Sequence, residues 1–303
     1  MTVLDAIIQG IIQGLTEFLP VSSSGHLTVY QHIFVAGDSG DNLAFSALLH
    51  IGTLLAVCIV YHRLIGRLII ELFTMIRDVF TGRFSWKGMN TERRMLVMMI
   101  VSLLMLVPLV LPVFSGNSLQ DLAEGITSGD NIIIVGISFL LTAALLLTAF
   151  ILSKRKKATK ADAEVKDAVV IGLAQDIAAL MPGVSRSGST IATGLICGLE
   201  REYMVRYSFI MSVPTILAAN VLLTVKDAVE MGGEALAVPV IPAVVGVIVS
   251  ALFGVLAIRL IEWIIRKDYY NYFGYYCAAV GALVIALGIW ESASGTTLSQ
   301  LIG

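Results

Sequence analysis

Apolar residues in this chain run in blocks too long for the core helices of an ordinary soluble domain. Spanning about 30 Å of hydrocarbon takes roughly 20 mostly apolar residues. Six stretches reach that length: 43–62, 94–114, 131–153, 203–224, 240–265 and 271–290. Four shorter ones, 3–19, 22–36, 167–181 and 187–199, are too short to cross comfortably at about 1.5 Å per residue. They form two adjacent pairs, split by proline and serine/glycine breaks at Pro20–Gly25 and Pro182–Gly188. Such a break suits two half-helices meeting at a re-entrant tip, whose bare backbone must line a protein-enclosed cavity. Arg63–Phe80 has another pattern, with Arg63, Arg67, Glu71 and Arg77 among Leu, Ile, Met and Phe. It predicts an amphipathic segment along the cytoplasmic interface.

The two short pairs repeat one another. Asp5, Ala6, Gly10, Gln13 and Pro20 recur as Asp167, Ala168, Gly172, Gln175 and Pro182, at a constant offset of 162 positions. The register continues where Phe45–Val57 lies over Tyr207–Ala219, and the tip Ser22–Gly25 lies over Ser185–Gly188 after one insertion. One repeat thus covers 1–153, with its pair at 3–36, and the other 167–290, with its pair at 167–199. Both lie in a single integral membrane domain over 1–303. A pair that returns to its own side, followed by three crossings, starts the second copy on the opposite face, so the repeats are inverted. The expected fold is all-α: a polytopic membrane protein with six transmembrane helices plus two re-entrant helix pairs.

Composition agrees, with 57% hydrophobic and 14% charged residues where soluble domains carry roughly a quarter charged. A net charge of −2 gives no basic field for nucleic acid. Lys and Arg cluster in 63–93 and 154–166 and are absent from 37–42 and 115–130, which makes the first two segments cytoplasmic and puts both termini outside. The first re-entrant pair then enters from the outer face and the second from the cytoplasmic face, so their tips can meet near mid-membrane. Met1–Asp5 lacks the positive stretch of a cleaved leader and is expected to stay in the mature chain. Cys58, Cys197 and Cys277 lie in apolar runs without ligand or pairing spacing and read as packing residues. Tyr269, Tyr270, Tyr272, Tyr275 and Tyr276 read as an interfacial belt.

Chemistry concentrates at the breaks. Asp5, Gln9, Gln13 and Glu17 are spaced by four on one helix face. A carboxylate at membrane depth costs roughly 2.5 to 3.5 kcal/mol, so Glu17 is expected to face a polar cavity. Asp5 and Asp167 precede apolar helices as N-caps do. Ser22, Ser23, Ser24 and Gly25 put hydroxyls and backbone N–H groups at a helix start, an anion site in waiting, although a plain serine cap has the same look. Ser185, Arg186, Ser187, Gly188 and Thr190 start a second helix, and Arg186 is the one cation among the motif residues. A planar guanidinium beside converging N–H donors grips phosphate; it would equally pair with Glu17 or Asp176. His26, one turn into its half-helix, suits proton transfer. His32, His50 and His62 receive no role.

At these residues the chain resembles the undecaprenyl pyrophosphate phosphatase, or bacitracin-resistance protein, family: Gln13–Leu27 (QGLTEFLPVSSSGHL) and Pro182–Thr190 (PGVSRSGST) match its two signature regions. The resemblance implies hydrolysis of undecaprenyl pyrophosphate, a polyprenyl pyrophosphate lipid, to the monophosphate carrier of cell-wall synthesis. It implies a bacterial inner-membrane location and an active site opening to the outer face. Carried over by position, Glu17, Ser23, His26 and Arg186 are the catalytic residues: an acid, a nucleophile or phosphate ligand, an acid/base and a pyrophosphate clamp. Gln13, Ser22, Ser24, Gly25, Ser185, Ser187, Gly188 and Thr190 bind substrate. The family also implies Mg²⁺ or Ca²⁺, with Glu17 as a possible ligand, but Gln13 stands where many members have a second acid.

Two other classes compete. Inverted repeats with broken helices are typical of secondary transporters, so a transporter or lipid flippase for a prenyl phosphate is the alternative. A non-catalytic pyrophosphate-binding partner of wall-synthesis enzymes is the third. The partners expected are the lipid substrate and membrane lipids, with a homo-oligomer compatible with this layout. Grouping Glu17, Ser23, His26 and Arg186 favours an enzyme.

Overall fold

The computed structural model describes residues 2–35, 39–114, 117–119, 132–155, 160–230, 239–267 and 269–302. The chain is built of helices, in order α1 (Val3–Phe18), α2 (Ser23–Phe34), α3 (Ser39–Phe80), α4 (Thr91–Leu104), α5 (Val107–Val110), α6 (Ile132–Arg155), α7 (Val165–Leu180), α8 (Arg186–Ile196), α9 (Arg201–Glu230), α10 (Val240–Arg266), α11 (Asn271–Ser294) and α12 (Leu298–Ile302). Two short strands, β1 (Pro112–Phe114) and β2 (Asn117–Ser118), pair antiparallel after α5. The loop expected outside at 115–130 falls largely outside the described residues, as do 156–159 of the basic run at 154–166.

Among the described residues, five helices are long and apolar enough to cross a membrane: Ala44–Phe80, Ile132–Lys154, Arg201–Leu222, Val240–Arg266 and Asn271–Ser294. The expected uninterrupted crossing at 94–114 is not one of them. α4 ends at Leu104, a turn follows, and α5 restarts with Pro108 near its beginning before the chain turns extended. Proline has no N–H and disfavours the helical conformation before it, so hydropathy overran a real break. The first span errs the other way. At about 1.5 Å per residue the 37 residues of Ala44–Phe80 far exceed the roughly 30 Å of hydrocarbon. Helical geometry lapses at Tyr61 (φ −104°, ψ 19°), whose hydroxyl donates to Glu262 Oε1 at 2.7 Å. Beyond it lies the amphipathic arm, with Ile69, Ile70, Phe73 and Phe80 exposed and Arg93 bonded to Glu71 and Asp78.

Each short pair folds as two helices with a break between them. α1 opens with a capping box: Thr2 Oγ1 accepts from the Asp5 N–H at 3.1 Å, and the Asp5 carboxylate accepts from the Thr2 N–H at 3.0 Å. α7 opens likewise, with Glu164 as cap and Asp167 bonded back to the Glu164 N–H at 3.0 Å. Asp5 and Asp167 therefore sit three residues inside their helices, correcting the expectation that they are the caps themselves.

Packing follows the sequence repeat. α1 lies along α10 and α10 along α3; α7 lies along α4, α3 meets α9, and α6 lies along α11. Under the 162-residue offset α1 exchanges with α7 and α4 with α10, so the α1–α10 contact has the α7–α4 contact as its counterpart. Glycine makes both approaches close. A Cβ at Gly14 would stand 2.6 Å from the Ser250 carbonyl oxygen, and one at Gly172, 2.7 Å from the Ser102 carbonyl oxygen. Phe18, Phe209, Tyr207 and Ile258 belong to the main buried cluster, with Phe18 and Phe209 edge to face at 5.1 Å between ring centres.

Candidate active site

The two breaks touch. Ser187 Oγ, in the first turn of α8, donates to the Glu17 carbonyl oxygen at 3.1 Å and lies 3.4 Å from that of Leu19. A helix end leaves such carbonyls without partners inside the helix; that of Leu19 also accepts from the Val21 N–H at 2.7 Å. α1 ends where Pro20 follows Leu19, and α2 and α8 restart under serine caps. Ser22 Oγ accepts from the Gly25 N–H at 3.1 Å, and Ser185 Oγ from the Gly188 N–H at 3.0 Å. Ser22 takes a positive φ of 73°, a backbone state that costs a non-glycine residue on the order of 1 to 3 kcal/mol. Gly25 is held against Phe139, which a Cβ would approach to 2.8 Å.

At the centre is Glu17, its side chain 4% exposed. Its Oε1 accepts from Arg186 Nη2. Its Oε2 accepts from Ser23 Oγ at 2.6 Å and from Gln13 Nε2 at 3.0 Å, and His50 Nε2 lies 3.6 Å away. A buried carboxylate needs this many donors to remain ionised, since desolvation alone favours the neutral acid. Two polar atoms facing the cluster have no hydrogen-bond partner among the described residues: Arg186 Nη1 and Gln13 Oε1. A buried guanidinium nitrogen without an acceptor fits an incoming anion.

The structure thus brings Gln13, Glu17, Ser23, Arg186 and Ser187 together. The other residues singled out sit around that core. Thr190 Oγ1 is 2.7 Å from Ser208 Oγ, Ser24 Oγ is 3.4 Å from Ser22 Oγ, and the Ser185 N–H donates to Thr142 Oγ1 at 3.1 Å. His26 makes no bond to Glu17. Its Nδ1 is 2.6 Å from the Ser22 carbonyl oxygen and its Nε2 2.8 Å from the Tyr276 hydroxyl. Its ring stacks on Tyr276 and meets Phe139 edge on. Tyr276 is therefore more than an interfacial aromatic, and Tyr270 is fully buried.

His50 is the residue that sequence reasoning passed over. The repeat carried a signal: under the 162-residue offset Glu17 lies over Ala179 and His50 over Ser212, so the halves diverge at both.

A divalent cation would meet few free donors here. Glu17 is the single carboxylate of the cluster and both its oxygens already hold protein donors. Among the described residues no group of three or more His, Cys, Asp or Glu side chains could hold a metal. The residues present do not form a protein-held metal site, and Glu17 does not fit as a ligand.

Membrane-length apolar helices around a buried acid, guanidinium and hydroxyl cluster define a multi-pass membrane protein with an enclosed polar site. The family model described as bacitracin resistance protein BacA matches residues 6–283. The chain is 41% identical over 292 residues to an undecaprenyl-diphosphatase of Alkaliphilus metalliredigens, covering 95% of this chain and 100% of that one. It is 38% identical over 288 residues to one of Bacteroides fragilis (93% and 97% covered) and 36% identical over 296 residues to one of Methanosphaera stadtmanae (95% and 99% covered). The chain belongs to the bacitracin resistance protein BacA family.

Proposed function

We propose that this chain hydrolyses undecaprenyl pyrophosphate to undecaprenyl phosphate and inorganic phosphate, at the outer side of the membrane, returning the lipid carrier to cell-wall synthesis. The observation that carries the reading is the Ser23–Glu17–Arg186 chain of contacts: a hydroxyl aimed at a carboxylate, beside a guanidinium with one nitrogen to spare. The undecaprenyl-diphosphatase relatives support the substrate.

Arg186 Nη1 and the first-turn N–H groups of α2 and α8 bind the diphosphate. Ser23 Oγ attacks the terminal phosphorus while Glu17 takes its proton, and the lipid monophosphate leaves with the bridging oxygen. Water then releases phosphate from Ser23 by the same base. Charge stabilisation supplies much of the rate, because the phosphoryl group needs positioning more than covalent help. His26 steadies the tip through the Ser22 carbonyl; serving as acid or base would require its Tyr276 contact to open. A Mg²⁺ or Ca²⁺ ion, if it takes part, would come with the substrate rather than be held by these residues, and would supply positive charge.

In the membrane, α1–α2 and α7–α8 are the two re-entrant pairs of inverted repeats, and α4–α5 is a broken sixth crossing with both termini outside. The repeated packing of α1 on α10 and α7 on α4 supports this layout. A lipid flippase would use the same scaffold. In proteoliposomes carrying labelled undecaprenyl pyrophosphate, the phosphatase liberates inorganic phosphate. Labelled lipid that changes leaflet with its diphosphate intact would reverse the choice.

A further inference from the structure

His26 has both ring nitrogens engaged, and the one other histidine that reaches the cluster among the described residues is His50. His50 Nδ1 is 2.8 Å from the Ser46 carbonyl oxygen one turn back on α3. A carbonyl only accepts, so Nδ1 carries the hydrogen, and in the neutral ring Nε2 keeps its lone pair. That lone pair faces Glu17 Oε2 at 3.6 Å, the same oxygen that accepts from Ser23. The separation is longer than a hydrogen bond, and such contacts commonly tighten only once substrate is bound.

The surroundings hold His50 in that aim. Leu49 gives its carbonyl to Ser250 Oγ at 2.9 Å, and a Cβ at Gly52 would lie 2.4 Å from the Val247 carbonyl oxygen, so α3 is pinned to α10 on both sides of His50. The side chain is 27% exposed, against 4% for Glu17. His50 thus joins a buried carboxylate to a more accessible surface. The charged groups at this point are Glu17 itself, from α1, and Arg186, from α8, on the carboxylate's other oxygen.

We infer that His50 is a positioning and proton-relay residue acting through Glu17, receiving at Nε2 the proton that Glu17 takes from Ser23. This rests on the phosphatase reading above. In the first half-reaction the Ser23 Oγ–P bond forms and the bridging O–P bond breaks, its electron pair leaving on the lipid monophosphate. The Ser23 proton moves to Glu17 Oε2, then to His50 Nε2, and exchanges with solvent from the partly exposed ring. Glu17 is thereby a carboxylate again when water attacks phosphoserine; that water's proton passes to Glu17 and His50, and these two groups return a proton to Ser23 Oγ as phosphate leaves. Arg186 is already matched by Glu17, and a transient imidazolium adds positive charge while the phosphoryl group is in transit.

The test is phosphate release by the purified full-length protein from undecaprenyl pyrophosphate, with kcat and KM followed from about pH 5 to about pH 9, across the ordinary range of histidine. His50→Gln keeps a polar amide near the Nε2 position but cannot accept a proton. It is expected to lower kcat by about 10- to 100-fold with KM within about twofold, and to remove the acid-side inflection of the kcat profile. Imidazole added to His50→Ala should restore part of the rate. A His50→Gln protein with wild-type kcat and pH profile overturns the relay, as does one whose KM alone rises, which would make His50 a substrate-binding group. Wild-type protein that releases no phosphate overturns the phosphatase reading itself, and the relay with it.

Discussion

Arg186 donates to Glu17 Oε1 although 169 positions separate them in sequence, and this pair ties the end of one broken helix to the start of the other. Glu17 is buried and Arg186 partly so, which makes the two unequal to lose. Arg186→Ala leaves an uncompensated carboxylate and should destabilise the protein by about 3 to 5 kcal/mol, whereas Glu17→Ala with Arg186→Ala should cost less than the sum of the two. Thermal unfolding in detergent of the single and double variants checks this; additive losses would mean that the pair is not coupled.

Ser23 is expected to carry the phosphoryl group. Ser23→Ala should lower phosphate release by more than 100-fold, and rapid acid quenching of wild type should yield a Ser23 phosphopeptide by mass spectrometry, as covalent catalysis requires. Substantial turnover by Ser23→Ala with no phosphopeptide in wild type would assign the attack to water.

Gln13→Glu places a second carboxylate one helical turn from Glu17 and removes the amide that now donates to it. Repulsion between the acids should slow the enzyme without added cation, and Mg²⁺ should restore it. Phosphate release with EDTA and then excess Mg²⁺ compares the two proteins, and the metal-dependent gain is expected to be larger for Gln13→Glu. Equal gains would show that the missing acid is immaterial to metal dependence.

Gly14→Ala drives a methyl group to 2.6 Å from the Ser250 carbonyl oxygen. Backbone cannot rotate away as a side chain can, so α1 must lift from α10, at a cost of about 1 to 3 kcal/mol. Gly66, which has nothing within 4 Å of its added Cβ, serves as the control. Gly66→Ala is expected to melt no lower than wild type, and Gly14→Ala clearly below it.

The broken pairs were legible because Pro20, Pro182 and the serine/glycine runs interrupt short apolar stretches, and the structure breaks α1 and α7 there. Glu17 and Arg186 stood out because a charge at membrane depth demands a partner. The stretch 94–114 read as unbroken because a hydropathy window averages over Pro108, before which the structure interrupts the helix. His50 was invisible for a different reason: one polar residue in an apolar helix does not announce its neighbour across the fold. Its four-residue spacing from Ser46 fits the Nδ1 bond, but only tertiary packing of α3 against α1 aims Nε2 at Glu17.

Glu17, held by Arg186 and facing Ser23, stands as the base of the proposed diphosphate hydrolase. Release of inorganic phosphate from undecaprenyl pyrophosphate by purified wild-type and Glu17→Gln protein, matched for folded fraction, tests it most directly. Wild type should turn over, and Glu17→Gln should lose at least about 100-fold, within the range that general bases contribute. Equal release by the two proteins would contradict it.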